Sequence, residues 1–201
     1  MLHTDRERER EMESKIEAAT GKLVVKKVGG KSTVTRCFSK YPLKFIIPNK
    51  VGSSETDAVW VYTLTYGGGI VSGDSISCEI TVADACTAVL TTQASTKVYK
   101  SLGSKSSEQI LEKQIFRVVL DSSLVIVDWI TSGRHESGEK WDFELYRSTN
   151  HIFLEGDQPL FLDSVLLEQG SITNIAERMQ DYQVIAMVIL LGLASPWENA
   201  V

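Results

Sequence analysis

Apolar and polar residues alternate in short runs across residues 22–167, and Gly, Pro, Asn and Asp break the runs apart, which is the pattern of an all-β domain. The cleanest run is Ser75–Val82. There Ile76, Cys78, Ile80 and Val82 fall on one face and Ser77, Glu79 and Thr81 on the other, so one side is buried and the other wet. Further strands are expected at 22–28, 32–38, 43–47, 59–66, 87–92, 97–101, 114–120, 124–130, 141–148 and 152–155, most of them rich in Val, Ile, Thr or aromatic residues. The period changes near the end of the chain. Ile172, Ile175, Ala176 and Met179 stand at i, i+3, i+4 and i+7, and the pattern continues through Tyr182 and Ile185, which predicts a helix. The apolar run 184–194 has about half the ~20 residues that a membrane-spanning helix needs, and it is read as the buried end of that helix. No repeat of fixed period and no flexible linker interrupts the middle of the chain.

Residues 1–20 form a tail of a different kind, dense in Arg and Glu with few apolar anchors beyond Met12 and Ile16. No apolar stretch of the kind a secretory signal requires is present there, so an intracellular, cytoplasmic protein is expected. Residues 21–201 read as a single β-rich domain. With 21 basic and 26 acidic residues the net charge is −5, which removes the basic footprint of a nucleic-acid binder. Cys37, Cys78 and Cys86 are odd in number and lack CxxC spacing, so neither a disulfide framework nor a structural zinc site is expected.

Three segments concentrate the chemistry. The first is Gly67-Gly68-Gly69-Ile70-Val71-Ser72-Gly73-Asp74. No GK[ST] follows it, and the next element is a strand rather than a helix, so it is not a phosphate loop. A tight turn between strands and a protein-contact or channel-wall loop both fit. The second is the hydroxyl- and amide-rich run 91–97, with Gln93, Thr96 and Lys97, which suits either a strand-end turn or a water-lined wall. The third is 128–141, where Asp128, Arg134, His135, Glu136 and Glu139 crowd between Trp129 and Trp141. Its two readings are a hairpin in which Arg134 pairs with a carboxylate while both tryptophans pack on the sheet, and a polar passage holding a divalent ion weakly. His135 and His151 lack metal-ligand spacing, and no Ser or Cys occupies a nucleophile turn, so an enzyme is not expected.

Taken together and in this order, GGGIVSGD at 67–74, TTQASTKVYKS at 91–101 and DWITSGRHESGEKW at 128–141 resemble the urease accessory protein D family, UreD or UreH, most closely its plant members. YPLKFIIP at 41–48 and DSVLLE at 163–168 extend the resemblance over roughly residues 21–195. It implies a mainly β fold, an irregular stacked or helical arrangement of sheets with one or two α-helices near the C-terminus. It also implies a non-enzymatic chaperone that binds the urease apoprotein and UreF, with the GTPase UreG docking through UreF, and that passes nickel towards the urease active site. No cofactor is permanently bound under this reading; nickel is in transit. Asp128, His135, Glu136 and Glu139 are then the expected nickel path. Gln93, Thr96, Lys97, Arg134, Gly67, Gly68, Gly69, Gly73 and Asp74 are the expected conduit or partner surface. Compared with the family pattern, the chain lacks an internal segment near 106–114 and a C-terminal part, and the internal loss is expected to leave sheet edges unpaired. The other reading is a β-rich protein-binding module without a metal role. Neither reading involves nucleic acid or a membrane.

Overall fold

The chain crosses repeatedly between two facing sheets, laying one, two or three consecutive strands in one before it passes to the other. The computed structural model describes residues 19–49, 56–100, 109–155 and 157–192. The expected charged tail lies outside them over 1–18. The strands are β1 (Gly21–Val28), β2 (Lys31–Ser39), β3 (Leu43–Ile46), β4 (Val59–Thr65), β5 (Gly69–Ile70), β6 (Ser75–Val82), β7 (Thr87–Thr91), β8 (Thr96–Val98), β9 (Gln109–Val118), β10 (Ser123–Ser132), β11 (Leu145–Leu154), β12 (Gln158–Glu168) and β13 (Val184–Gly192). One sheet has the order β12-β11-β9-β6-β1-β2. The other runs β3-β4-β7-β10-β8-β5, and β13 also pairs with β10. Within the first sheet β1, β6, β9 and β11 are mutually parallel. In the second, β4, β7, β10, β8 and β5 run parallel, and antiparallel β3 and β13 pair with β4 and β10. The fold is mainly β, as expected, and its coiled path gives both sheets parallel strands without crossover helices.

Leu23, Val25, Val61, Ile80, Ala88, Phe116, Leu124 and Ile152 are among the buried residues that fill the space between the sheets. The outer faces differ sharply. On the first sheet the outer face carries an ion-pair network, in which Lys22 Nζ lies 2.9 Å from Glu79 Oε2, Arg117 Nε donates to Glu79 Oε1 at 2.6 Å and Arg117 also meets Asp157, with Leu162 and Leu166 exposed on the edge strand β12. The second sheet's outer face is apolar. Register places Trp60, Val89, Val125 and Leu190 in one row across four strands, and Tyr62, Thr91, Val127 and Val188 in the next. Trp129 stands beside Ala186, and Thr131 stands between Lys97 and Val184.

Several expected elements change. Residues 184–192 form strand β13 and not a helix end, because β10 supplies an antiparallel partner over its whole length from Ser123 to Thr131. Both faces of that run are apolar, so periodicity could not separate helix from strand. The helix is only α1 (Ile175–Met179), started by a capping box between Asn174 and Glu177. It ends at Gln180, whose φ of 52° leaves the helical region. Ile172 lies outside it and is exposed, while Ile175 is fully buried. The expected strand at 141–148 begins only at Leu145 and absorbs the one at 152–155. β12 and β5 were not expected at all. β9 starts earlier than expected, at Gln109, and has a strand on each side, β6 and β11, so no edge is left open at that point.

Candidate functional site

Polar side chains on inward-facing strand positions are costly unless something satisfies them, and this core contains a row of them. Across the inner face of the first sheet, Cys78, Gln114, Asn150 and Asp163 are register partners on β6, β9, β11 and β12. Glu112 and Ser148 are partners in the adjoining row. Glu112 is 8% exposed and Asn150 2%. Asp128 projects from β10 of the opposite sheet, on the same inner face as Ile126 and Ile130.

The Tyr146 hydroxyl donates to Glu112 Oε2 at 2.5 Å. Asn150 Nδ2 donates to Asp163 Oδ2 at 3.4 Å and to the Met187 sulfur at 3.2 Å, which ties β11 to β12 and to β13 of the facing sheet. Asp128 Oδ1 and Asn150 Oδ1 are buried and have no hydrogen-bond partner. Both residues line a pocket of about 30 Å³ between the sheets, which Tyr146, Ser148, Asp163 and Met187 also line. A pocket of that size with several polar partners suits a single water or ion. Burial, and then the nearby Asp128 charge, push the Glu112 carboxyl up to about 7. Burial likewise pushes Asp128 up to about 6, although the Trp129 backbone N–H opposes the shift. The Tyr146 hydroxyl is raised by burial first and by the two carboxylates next. Two carboxyl groups sharing one low-dielectric interior are stabilised by holding a proton or by receiving a cation.

The other expected site residues gather elsewhere. Gly69 and Gly133 close on Tyr99 from two motifs: a Cβ on Gly69 would stand 2.4 Å from the Tyr99 ring, and one on Gly133 2.5 Å. Tyr99 N–H donates to the Ile70 carbonyl at 3.0 Å, and Gly133 N–H to the Val98 carbonyl at 2.8 Å. The three sequence motifs therefore meet at one aromatic ring. Gly67 and Gly68 are exposed turn residues with φ of 76° and 78°. Asp74 closes the following turn by accepting Val71 N–H at 3.0 Å, and its hydrogen bond to Tyr41 raises that hydroxyl. Here the tight-turn reading describes the geometry.

Past Gly133 the chain makes a short turn at His135–Ser137. Arg134 and Glu136 are exposed there and His135 is half-buried. Glu139 Oε1 lies 3.2 Å from Lys100 Nζ and 3.6 Å from an Arg134 guanidinium nitrogen, so Arg134 pairs with a carboxylate as the hairpin reading requires. Glu139 Oε2 is buried without a partner. Lys97, Arg134, His135 and Glu136 line an open pocket of about 510 Å³. Gln93 is exposed, and Thr96 half-buried, on the neighbouring segment. The structure thus separates the expected nickel path into an interior residue, Asp128, and an outer group, His135, Glu136 and Glu139. Among the described residues no group of three or more His, Cys, Asp or Glu side chains is placed to hold a metal ion. Glu112, Gln114, Tyr146, Asn150 and Asp163 were missed. Strand parity carried the signal: Glu112 and Gln114 share the inward parity of Ile110 and Phe116, and Ser148 and Asn150 that of Tyr146 and Ile152.

A sequence model described as UreD urease accessory protein matches residues 17–115 and 112–200. The chain belongs to the UreD family. It is 63% identical to urease accessory protein D of Arabidopsis thaliana over 200 aligned positions, covering 87% of this chain and 68% of the relative. Identity to urease accessory protein D of Oryza sativa subsp. japonica is 56%, covering 90% of this chain and 67% of the relative. A bacterial relative, UreD of Anaeromyxobacter sp. (strain Fw109-5), is 27% identical over 89% of this chain. The chain thus spans about two thirds of the length of these relatives. UreD proteins are accessory to urease, and the role of this chain is in urease maturation. No helix among the described residues is long and apolar enough to cross a membrane.

Proposed function

We propose that this UreD-family chain is a scaffold that binds the urease apoprotein and UreF, with UreG docking through UreF in the cytoplasm, and that it guides nickel towards the urease active site. GTP hydrolysis belongs to UreG in this reading. The observation that carries the nickel part is the inner-face pair Asn150 and Asp163, with buried Glu112 in the adjoining row, facing Asp128, with two unpartnered oxygens on one small pocket. Oxygen ligands spread along an interior, with no closed cage, suit an ion that has to be released again. The outer cluster of His135, Glu136 and Glu139 is proposed as the mouth of the path.

The shortened internal region is a proposal as well. What supports it is that the two family matches meet at 112–115, inside β9, and that 200 positions aligned with the Arabidopsis protein account for only 87% of this chain.

Co-expression of the chain with urease apoprotein, UreF and UreG, with and without nickel, tests the function. Complex recovery together with nickel-loaded, active urease is the expected result. Asp128→Asn is expected to lower urease nickel content while leaving complex recovery unchanged. Full nickel content in that variant overturns the conduit, and failure to recover any complex overturns the scaffold.

A further inference from the structure

We infer that the outer face of the second sheet, together with the pocket at its end, docks an amphipathic helix of a partner protein whose apolar stripe ends in carboxylates. Parallel sheets are almost always covered on both faces, because their strands are apolar on both. The first sheet relieves this in part: Lys22, Glu79 and Arg117 form an ion-pair network on its outer face, and its exposed Leu162 and Leu166 stand on the edge strand β12. The second does not: Trp60 is 49% exposed, Val188 62% and Leu190 71%, and β13 turns Val184, Ala186, Val188 and Leu190 outward without a single polar side chain between them. An apolar face of this kind, bounded by polar residues, marks a protein contact.

Charge selects the partner's chemistry. The register row Lys97–Thr131–Val184 brings the apolar face to the edge of the 510 Å³ pocket, where Lys97, Arg134 and His135 face Glu136 as the single acidic lining residue. Glu139 is already engaged by Lys100 and Arg134, and Lys97 has no ion pair among the described residues. A carboxylate, or the negative end of a helix, is complementary to that pocket. Size selects the shape. The apolar rows span four strands at Val125 and Val127 and narrow to β10 and β13 at Trp129, a patch at most roughly 20 Å long and 15 Å wide. That is room for one helix of ~10 Å diameter. It is well short of the ~800 Å² per partner of a stable dimer, so a second copy of this chain is disfavoured. The inference deepens the partner reading above, and its pocket shares His135 and Glu136 with the proposed mouth of the nickel path.

Two helical probes of about 18 residues test it. Both carry leucines at i, i+3, i+4 and i+7. One ends in two glutamates and a free carboxylate, the other in two lysines and an amide. Fluorescence anisotropy with the full chain is expected to show binding of the acidic probe about tenfold tighter than the basic one. Lys97→Glu with Arg134→Glu is expected to reverse that preference, and the gained affinity for the basic probe shows that the variant is folded. Val188→Asn with Leu190→Asn is expected to abolish binding of both probes with an unchanged circular dichroism melt. Equal binding of the two probes, no binding of either, or binding that survives the face variant overturns the inference. So does a wild-type dimer in sedimentation velocity that the face variant converts to monomer. Because the probes are designed, this test can fail while the urease co-expression succeeds, and the reverse.

Discussion

A Cβ placed on Gly133 would stand 2.5 Å from the Tyr99 ring and 2.9 Å from the Tyr99 Cα, so the strand end of one motif has room for the other only as glycine. The obstruction includes backbone, which cannot swing away. Gly133→Ala and Gly69→Ala are each expected to cost about 1–3 kcal/mol through overpacking. Gly67 has open space around it but a φ of 76°, so Gly67→Ala is expected to lose about 1 kcal/mol from backbone strain alone. Urea midpoints of the three variants check this. Equal losses at all three positions contradict the close packing of Tyr99.

Stability should fall with rising pH because of the buried acids. Glu112 is pushed up to about 7, chiefly by burial, and Asp128 to about 6 for the same reason. A carboxyl raised in the folded state holds a proton there that the unfolded chain releases. Its contribution is complete below about pH 4, the ordinary range, and is lost as pH rises through 6 to 7. Urea denaturation at about pH 5 and about pH 8 is expected to show that loss in the wild type. Glu112→Gln, which keeps a partner for the Tyr146 hydroxyl, is expected to show less of it. An identical pH dependence in both proteins removes Glu112 from the account.

Ser132 holds the loop that carries Glu139. Its hydroxyl donates to the Glu139 carbonyl at 3.0 Å and accepts the Trp141 N–H at 2.9 Å, while Trp141 is buried with a φ of 52°. Ser132→Ala leaves that buried N–H unpaired and is expected to cost about 1–3 kcal/mol. Ser132→Thr, which restores a hydroxyl, is expected to lose less. Thermal melts followed by tryptophan fluorescence measure both.

Helix α1 depends on its cap more than on its length. Asn174 Oδ1 accepts Glu177 N–H at 2.7 Å, and Glu177 Oε2 accepts Asn174 N–H at 2.9 Å. Asn174→Ala is expected to cost about 1 kcal/mol, seen as a lower urea midpoint. Ile175→Ala, at a fully buried position, is expected to cost about 2–5 kcal/mol. A larger loss for the cap than for the core residue would contradict this ordering.

Alternation located β6 cleanly, because it has one wet face and a side-chain period of two, while β1, β4 and β7 showed it more weakly and were read with the help of their Val, Thr and aromatic content. The three motifs were visible as well, though not the Tyr99 ring at which they meet. Periodicity was silent on β13, since Val184–Gly192 is apolar on both faces and only the edge of β10 makes it a strand. It was equally silent on the site, for a related reason. Parity places Glu112, Asn150 and Asp128 inside, but the approach of Asp128 and Asn150 to one pocket, with Glu112 in the neighbouring row, depends on which strands are neighbours in a coil and which sheet each belongs to. Local side-chain chemistry chose the strands and their buried faces. Pairing between strands far apart in the chain chose the sheet order, and with it brought two acids into one buried interior and left one apolar face uncovered among the described residues.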